Sequence, residues 1–438
     1  MAKIRDELQH RSAGIFLWVV LVVVMLNKAY DQGKSAASML QRLKEIPRDL
    51  HDIFAQLLPK DQEDSDECVA LLAWVLFPTR PLSQTELCDA IRYICFTTDT
   101  DLDQDIHTTQ DTTYRYLLNC SRGLVELTKA NPSVVQFIHE TVRDYLLGGN
   151  MLGERKLALC ASNSPESGFQ ADHCHLKIAE GCLQYLVGLH RNKPWLKEPA
   201  WDSLTVYAGE NWWQHAQKGK GLCSHRFSSL AMELLMHAGD LSTWVHIHDI
   251  DCSDKEFTRG KAFSSFAGME RFVKVAPPLY YAACIGVPEI ILKMLALRVD
   301  INAQGGHLGT ALQAAARYNH KDVVRMLLDK GADVNAQGGC YGSALLAALR
   351  FWNMDIVTML LECGADANTQ GGLEGIALCA AACAGHRDIV AILLDHGAGV
   401  NARGCGPTAL QAAAQMGEYE EVRMLLEHGA DVNAHSDE

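Results

Sequence analysis

The sequence predicts a mainly α-helical chain that ends in a solenoid of stacked helix pairs. Three observations predict it. Asn302, Asn335, Asn368 and Asn401 stand 33 residues apart, and Asn433 follows 32 later. Upstream, apolar residues recur at helical rather than alternating spacing. Strand character is clearest in two short stretches, GLVELT and SVVQFIH. Composition agrees: 438 residues, 48% hydrophobic, 21% charged and only 12 prolines describe a globular chain, not a disordered one. At roughly 100–200 residues per domain, two to four domains are expected.

Residues 1–60 read as a helical segment. The apolar run AGIFLWVVLVVVML at 13–26 would make about 21 Å of helix against a hydrocarbon core of about 30 Å, so a helix or strand buried in a domain is expected. The segment before it mixes acids and bases and no small-residue cleavage site follows, unlike a signal peptide. Gly33-Lys34-Ser35 imitates a phosphate-binding loop. That loop needs glycine five residues before the glycine of its Gly-Lys pair, where Lys28 stands, so a turn between two helices is expected instead. Beyond it, apolar residues at 39, 40, 43, 46, 50, 53, 54, 57 and 58 with Pro47 between them predict two short amphipathic helices.

Residues 61–150 read as a winged helix: three helices, a β-hairpin around Lys129-Ala130-Asn131-Pro132, and a closing helix in HETVRDYLL. Ser83, with Glu86 three residues on, has the spacing of a capping box. Winged helices suggest DNA binding, but residues 65–147 carry six Lys/Arg against twelve Asp/Glu, a net charge of −6. The helix from Ser83 offers Arg92 alone to phosphate, so nucleic acid is disfavoured. The whole chain, at −14, would also be repelled by an anionic membrane surface.

Residues 151–276 read as a helical linker and 277–438 as five repeats. Each repeat has a phrase such as GTALQAAA (from Gly309), GSALLAAL (Gly342), GIALCAAA (Gly375) or PTALQAAA (Pro407), with a divergent PPLYYAAC from Pro277. An apolar helix follows, as in VVRMLLDKGAD. Thr310, Ser343 and Thr408 suit helix N-caps. Gly331, Gly364, Gly397 and Gly429 suit left-handed helix ends, and Asn-x-x-Gly-Gly suits a turn into a finger. One repeat cannot bury its own apolar face, so stacking is required. In the last copy Glu418, Glu420, Glu421 and Glu427 are expected to solvate the free end, with Glu421 where internal copies carry Val323, Ile356 and Ile389.

These phrases resemble the ankyrin repeat over about 160 residues, in a T-A-L-Q-A-A form of the usual T-P-L-H-x-A. The resemblance extends upstream. RSAGIFLWVVLVVVML, L-x-x-I-P-x-x-L, LLAWVLFPTRPLSQTEL and VQFIHETVRDYLL resemble the segment after the NACHT nucleotide-binding domain of fungal NLR-like receptors. Its winged part is similar to the GPI inositol-deacylase winged helix. HLKIAEGCLQYL, YAGENWWQHA and STWVHIHDID resemble the linker of that family. The resemblance implies a non-enzymatic protein–protein interaction module in the cytoplasm, the sensor half of an NLR-like receptor. The family's NTPase core, expected before residue 1, has no counterpart here. The alternatives are a fragment of a NACHT ATPase receptor and a winged-helix DNA-associated regulator.

In ankyrin arrays the fingers and first helices line a concave face. Positions there that drift while the frame stays constant are the candidate partner contacts: Tyr280, His307, Leu308, Gln313, Arg317, Tyr341, Leu346, Arg350, Leu373, Glu374 and Gln411. Relaxed surface constraint explains such drift equally well. No catalytic, cofactor or metal set is expected. His173-Cys174-His175 lacks a second pair at zinc spacing. Cys379 and Cys383 stand where the repeat wants small residues. His139-Glu140 is followed by Arg143 where a zincin needs histidine. His246, His248 and Asp249 show no partner cluster. Trp195, Trp201, Trp212, Trp213 and Trp244 read as helical core, not a base-stacking platform. Fifteen cysteines without framework spacing indicate reduced thiols.

Overall fold

The computed structural model describes residues 2–12, 16–31, 33–58, 65–95, 110–147, 171–192, 203–219, 224–248, 275–371, 375–402 and 407–434. The chain divides into two compact units, Met1–Gly188 with Leu196–Leu222, and Leu189–Trp195 with Cys223–Glu438.

The first unit opens with α1 (Ala2–Ser12), α2 (Phe16–Asp31), α3 (Ala36–Glu45) and α4 (Leu50–Leu57). The apolar run is α2. It buries Leu17, Trp18, Leu21, Val22 and Leu26, one face at helical spacing, while Phe16 is 79% exposed. Trp18 Nε1 donates to the Pro47 carbonyl at 2.7 Å, anchoring α2 on the break between α3 and α4. No described helix is long and apolar enough to cross a membrane. Gly33, at φ +75°, donates its N–H to Tyr30 O at 2.8 Å, and Ser35 caps α3 through Ser38 N. The Gly-Lys-Ser stretch is thus a turn and a helix cap; Gln32 lies outside the described residues.

Next come α5 (Ser65–Leu76), α6 (Gln84–Cys95), α7 (Gln110–Cys120), β1 (Val125–Leu127), β2 (Val135–Phe137) and α8 (Glu140–Leu147). The strands pair antiparallel, Val125 with Phe137 and Leu127 with Val135. On its other edge β2 gains Leu82, whose carbonyl accepts from Val135 N at 2.8 Å. The capping box on α6 is complete: Glu86 N donates to Ser83 Oγ at 3.3 Å and Ser83 N to Glu86 Oε2 at 2.7 Å. Arg80 adds two bonds to the same carboxylate, at 3.2 and 2.7 Å. Burial pushes the Glu86 pKa up, but the hydrogen bonds from Arg80 and Ser83 outweigh it and hold the group below the ordinary carboxylate value. α9 (Ala171–Asn192) and α10 (Ser203–Lys218) follow, with Trp212 fully buried. α10 docks on the turn after α5, where Thr79 Oγ1 donates to Asn211 Oδ1 at 2.6 Å and Trp74 meets Tyr207 with ring centroids 5.6 Å apart.

The second unit begins with α11 (His225–Met236) and α12 (Ala238–Ile247), which bury Phe227, Leu234, Leu235 and Trp244. Five helix pairs then stack: α13 (Pro278–Ile285) with α14 (Pro288–Ala296), α15 (Ala311–Arg317) with α16 (Lys321–Asp329), and α17 (Ala344–Arg350) with α18 (Met354–Glu362). After the short hairpin of β3 (Gln370–Gly371) and β4 (Gly375–Ile376) come α19 (Ala377–Cys383) with α20 (Arg387–Asp395), and α21 (Ala409–Met416) with α22 (Tyr419–Glu427). First helices form one row and second helices another. Ala314, Ala315, Ala347, Ala348, Ala381 and Ala413 are fully buried where neighbouring helices close in. α11 packs on α13 and α14, and Trp244 meets Tyr281 edge-on at 5.6 Å, so the helix pair before the repeats covers the array's first face.

The repeated asparagine is a connector. Asn302 Oδ1 accepts from Asp333 N, Asn335 Oδ1 from Asp366 N, and Asn401 Oδ1 from Asp431 N, each at 2.8 Å; Asn368 Oδ1 accepts from Gly399 N at 2.7 Å. Asn335 Nδ2 also donates to Gly364 O at 3.0 Å and Asn368 Nδ2 to Gly397 O at 3.1 Å. Fingers pack just as closely. At Gly339, φ +65°, an added Cβ would stand 2.0 Å from the Leu308 carbonyl oxygen.

The free end differs from expectation. Glu421 is only 4% exposed and occupies the inward slot that holds Val323, Ile356 and Ile389 in earlier copies. Glu420 and Glu427 face solvent, yet so do Tyr419 (86%) and Val432 (73%). The third position of the second helix faces the core in every copy, so the solvating role does not belong to Glu421.

Two substitutions test this packing. Leu360→Ala, at a fully buried site in α18, should cost about 2–5 kcal/mol by cavity formation. Glu421→Ile should instead stabilise, by about 1–3 kcal/mol, because it replaces a buried carboxylate with an apolar side chain. Urea titration of the full chain, read by hydrogen exchange in α17 to α22, measures both; stabilisation by the first or loss by the second would contradict the register.

Candidate functional site

The array surface made by fingers and first-helix ends holds the candidate contacts, and the structure sorts them. Tyr280, Leu308, Gln313 and Leu346 are at most 2% exposed and have work inside the array. Tyr280 Oη accepts from Leu308 N at 3.2 Å, linking the first repeat to the next finger. Gln313 closes a capping box with Thr310, and its Nε2 reaches Gly338 O at 3.0 Å and Gly342 O at 3.1 Å in the following finger. Gln411 repeats the device with Thr408 and donates to Ala434 O at 2.6 Å. Their side chains were expected at the surface. They are instead spent on backbone groups of the adjacent repeat, which a finger needs because its own strands are too short to pair them. Leu373 and Glu374 lie outside the described residues.

His307, Arg317, Tyr341 and Arg350 are half-buried and remain accessible. The structure joins Tyr318 and Phe351 to them. The Arg317 guanidinium lies over the Phe351 ring, 3.3 Å from its centroid, and 5.3 Å from that of Tyr318. Tyr341, at a finger tip, meets Phe351 edge-on at 6.0 Å. Trp352 contacts His386 of the next repeat at 3.9 Å between centroids. A signal was present, since Tyr318 and Phe351 are 33 residues apart and each follows an arginine. The array also carries His320, whose Nε2 sits 2.9 Å from the Cys284 carbonyl; burial lowers its pKa, so it stays neutral as a strut between repeats.

In the first unit a buried polar chain crosses three segments. Thr79 N donates to Tyr207 Oη (3.3 Å), Tyr207 Oη contacts His215 Nε2 (3.0 Å), and His215 Nδ1 contacts His175 Nδ1 (2.8 Å). Every contact is satisfied by neutral rings if Tyr207 donates to His215, and His215 in turn donates through Nδ1. Burial first, then His175 and Lys218, drive the His215 pKa down to about 3. His175 is also lowered, by burial and then Lys218, against the opposing pull of Asp172. His173 and Cys174 take their places on the same helix, α9. No group of three or more His, Cys, Asp or Glu able to hold a metal occurs among the described residues. Burial pushes the Cys88 thiol up to about 12 and raises Cys182 as well, so neither is a nucleophile at neutral pH. A cavity of about 420 Å³ beside β2 is lined by Trp74, Arg80, Phe137, His139 and Arg143 among others; its Arg80 is bound to Glu86.

The comparisons with known proteins agree with this layout. The model for ankyrin repeats (three copies) matches residues 267–338 and 340–436. The chain is 27% identical over 371 residues to azaphilone pigments biosynthesis cluster protein L of Monascus ruber, covering 74% of this chain and 72% of that relative. It is 27% identical over 150 residues to vegetative incompatibility protein HET-E-1 of Podospora anserina, covering 34% of this chain and 10% of that relative.

The His215 shift has a sign that can be tested. A histidine whose folded pKa lies below its unfolded value of about 6.5 binds fewer protons when folded. Its stabilising effect is complete above that value and is lost as pH falls toward 3. Urea stability of α9 and α10, followed by hydrogen exchange, should drop from pH 7 to pH 5. His215→Asn should flatten that drop; an equal slope in the variant would show that His215 does not stay neutral. With its second unit built of helix pairs that match the ankyrin-repeat pattern, the chain is a mainly helical protein ending in an ankyrin-repeat array.

Proposed function

We propose that this chain is a non-enzymatic interaction protein, the sensor portion of an NLR-like signalling receptor, working in the cytoplasm. The array recognises a protein partner through its fingers and first-helix ends. The observation that carries this reading is the sorting of the array surface. Capping and inter-repeat residues are sealed inside, while arginine and aromatic side chains stay accessible on one surface. Such residues dominate protein interfaces. The likeness to a vegetative incompatibility protein supports the receptor reading.

Residues 61–150 act in this reading as a winged-helix module, supported by the helix and hairpin order and by the Leu82 segment joining β2. Its role is packing, since the −6 charge of residues 65–147 opposes phosphate and α6 brings only Arg92. A second reading makes the chain part of a longer ATP-dependent receptor. It is favoured by the match to a relative of which this chain covers a tenth. In both readings the described residues bind no nucleotide.

Equilibrium dialysis of the full chain against labelled ATP should show no retention, and titration with duplex DNA at moderate salt no saturable binding. Micromolar ATP uptake abolished by Lys34→Ala, or a submicromolar salt-sensitive DNA isotherm, would contradict the proposal.

A further inference from the structure

We propose that the surface shared by the second and third repeats binds an acidic peptide segment carrying an aromatic side chain. The inference rests on the reading of the array as a protein-binding surface and specifies the chemistry of the partner.

Geometry is the first support. Arg317 is held flat on Phe351, and Tyr341 stands edge-on to the same ring. A guanidinium fixed by stacking loses little further freedom when a carboxylate binds its edge in a two-pronged hydrogen bond. Arg350 occupies the corresponding end of α17, one repeat along. Tyr318, Tyr341 and Phe351 supply half-exposed rings beside these cations, against which an incoming aromatic side chain can pack.

Charge distribution is the second support. The first helices α13, α15, α17, α19 and α21 contain no Asp or Glu, and their bases are Arg317 and Arg350. The second helices hold the acids, from Glu289 through Asp322, Asp355 and Asp388 to Glu427. Bases on that outer row are matched locally: Lys321 with Asp355 at 2.8 Å, and Arg423 with Glu427 at 3.3 Å. An acidic ligand approaching a chain of net charge −14 is repelled by the outer row and attracted by this surface. A basic ligand would favour the outer row. Arginine beside aromatic rings also suits nucleobases, but two arginines within an acidic array give little gain from phosphate.

The test is selection of a phage-displayed random dodecapeptide library on the full chain. Enriched peptides should combine Asp or Glu with Phe, Tyr or Trp. A fluorescein-labelled peptide from that pool should bind saturably and more weakly as salt rises. Affinity should fall at least tenfold in Arg317→Glu with Arg350→Glu, and change less than twofold in Arg325→Glu, on the outer helix. If the double reversal unfolds, Arg317→Gln with Arg350→Gln should give the same loss in smaller measure. Enrichment of neutral or basic peptides, or binding indifferent to both arginines, overturns this inference while the array remains a protein-binding surface. Displacement of the peptide by a (dT)20 oligonucleotide at lower concentration than by unlabelled peptide also overturns it. No enrichment over uncoated support overturns the array reading itself.

Discussion

One side-chain amide per repeat sets the geometry of the second unit. Asn302, Asn335, Asn368 and Asn401 each accept from the backbone of the next finger through Oδ1, and three of them donate through Nδ2 to the glycine that ends the following second helix. The bond spans about thirty residues of sequence but only one step of the stack. Its donors and acceptors lie on turns, where the backbone has no ladder partner of its own. Gln313 and Gln411 perform a related service at the helix N-terminus, capping their own helix with Oε1 and holding a neighbouring turn with Nε2. A stack without such ties would still bury its apolar faces, but helix pairs could slide over one another. The amides supply register; the leucines and alanines supply most of the free energy.

This economy explains which side chains of the array stay accessible. Gly339 of one finger lies against Leu308 of the finger before it, Gln313 and Gln411 are committed to the turn that follows, and most first-helix alanines are buried. The arginine and aromatic side chains that stay accessible lie at the last residue of a first helix, in the loop after it and at the finger tip. Arg317, Tyr318, Tyr341, Arg350, Phe351 and Trp352 all sit at such positions. A surface confined to these sites gains its chemistry by residues meeting across repeats, as Arg317 does with Phe351.

The two ends of the stack are treated differently. At the start, α11 and α12 supply an aromatic and aliphatic cover, and Lys293 of the first repeat donates to Ser228 on α11. At the far end Glu421 fills an inward slot, while Tyr419, Leu426 and Val432 are exposed. In the first unit the same principle of tying distant segments recurs in polar form: Thr79, Tyr207, His215 and His175 join a turn and two helices through neutral hydrogen bonds.

The amino-acid sequence by itself determined the repeat, its five helix pairs, the N-caps at Thr310, Ser343 and Thr408, the left-handed glycines, the burial of α2 and the hairpin between α7 and α8. All of these are local or periodic, so the residues that cause them lie within a few positions or one repeat of one another. Only the tertiary structure decided which varying positions stay accessible and which are struts. Tyr280 and Leu346 drift in sequence as Arg317 does, but their side chains point into the stack. Gln313 looks like a free polar residue until the finger 25 to 29 residues later is brought against it. Glu421 looks solvated until its helix is set in the stack, and the His175–His215 contact joins residues 40 positions apart. In each case the deciding partner is distant in the chain and near in space. A one-dimensional pattern carries no record of that distance.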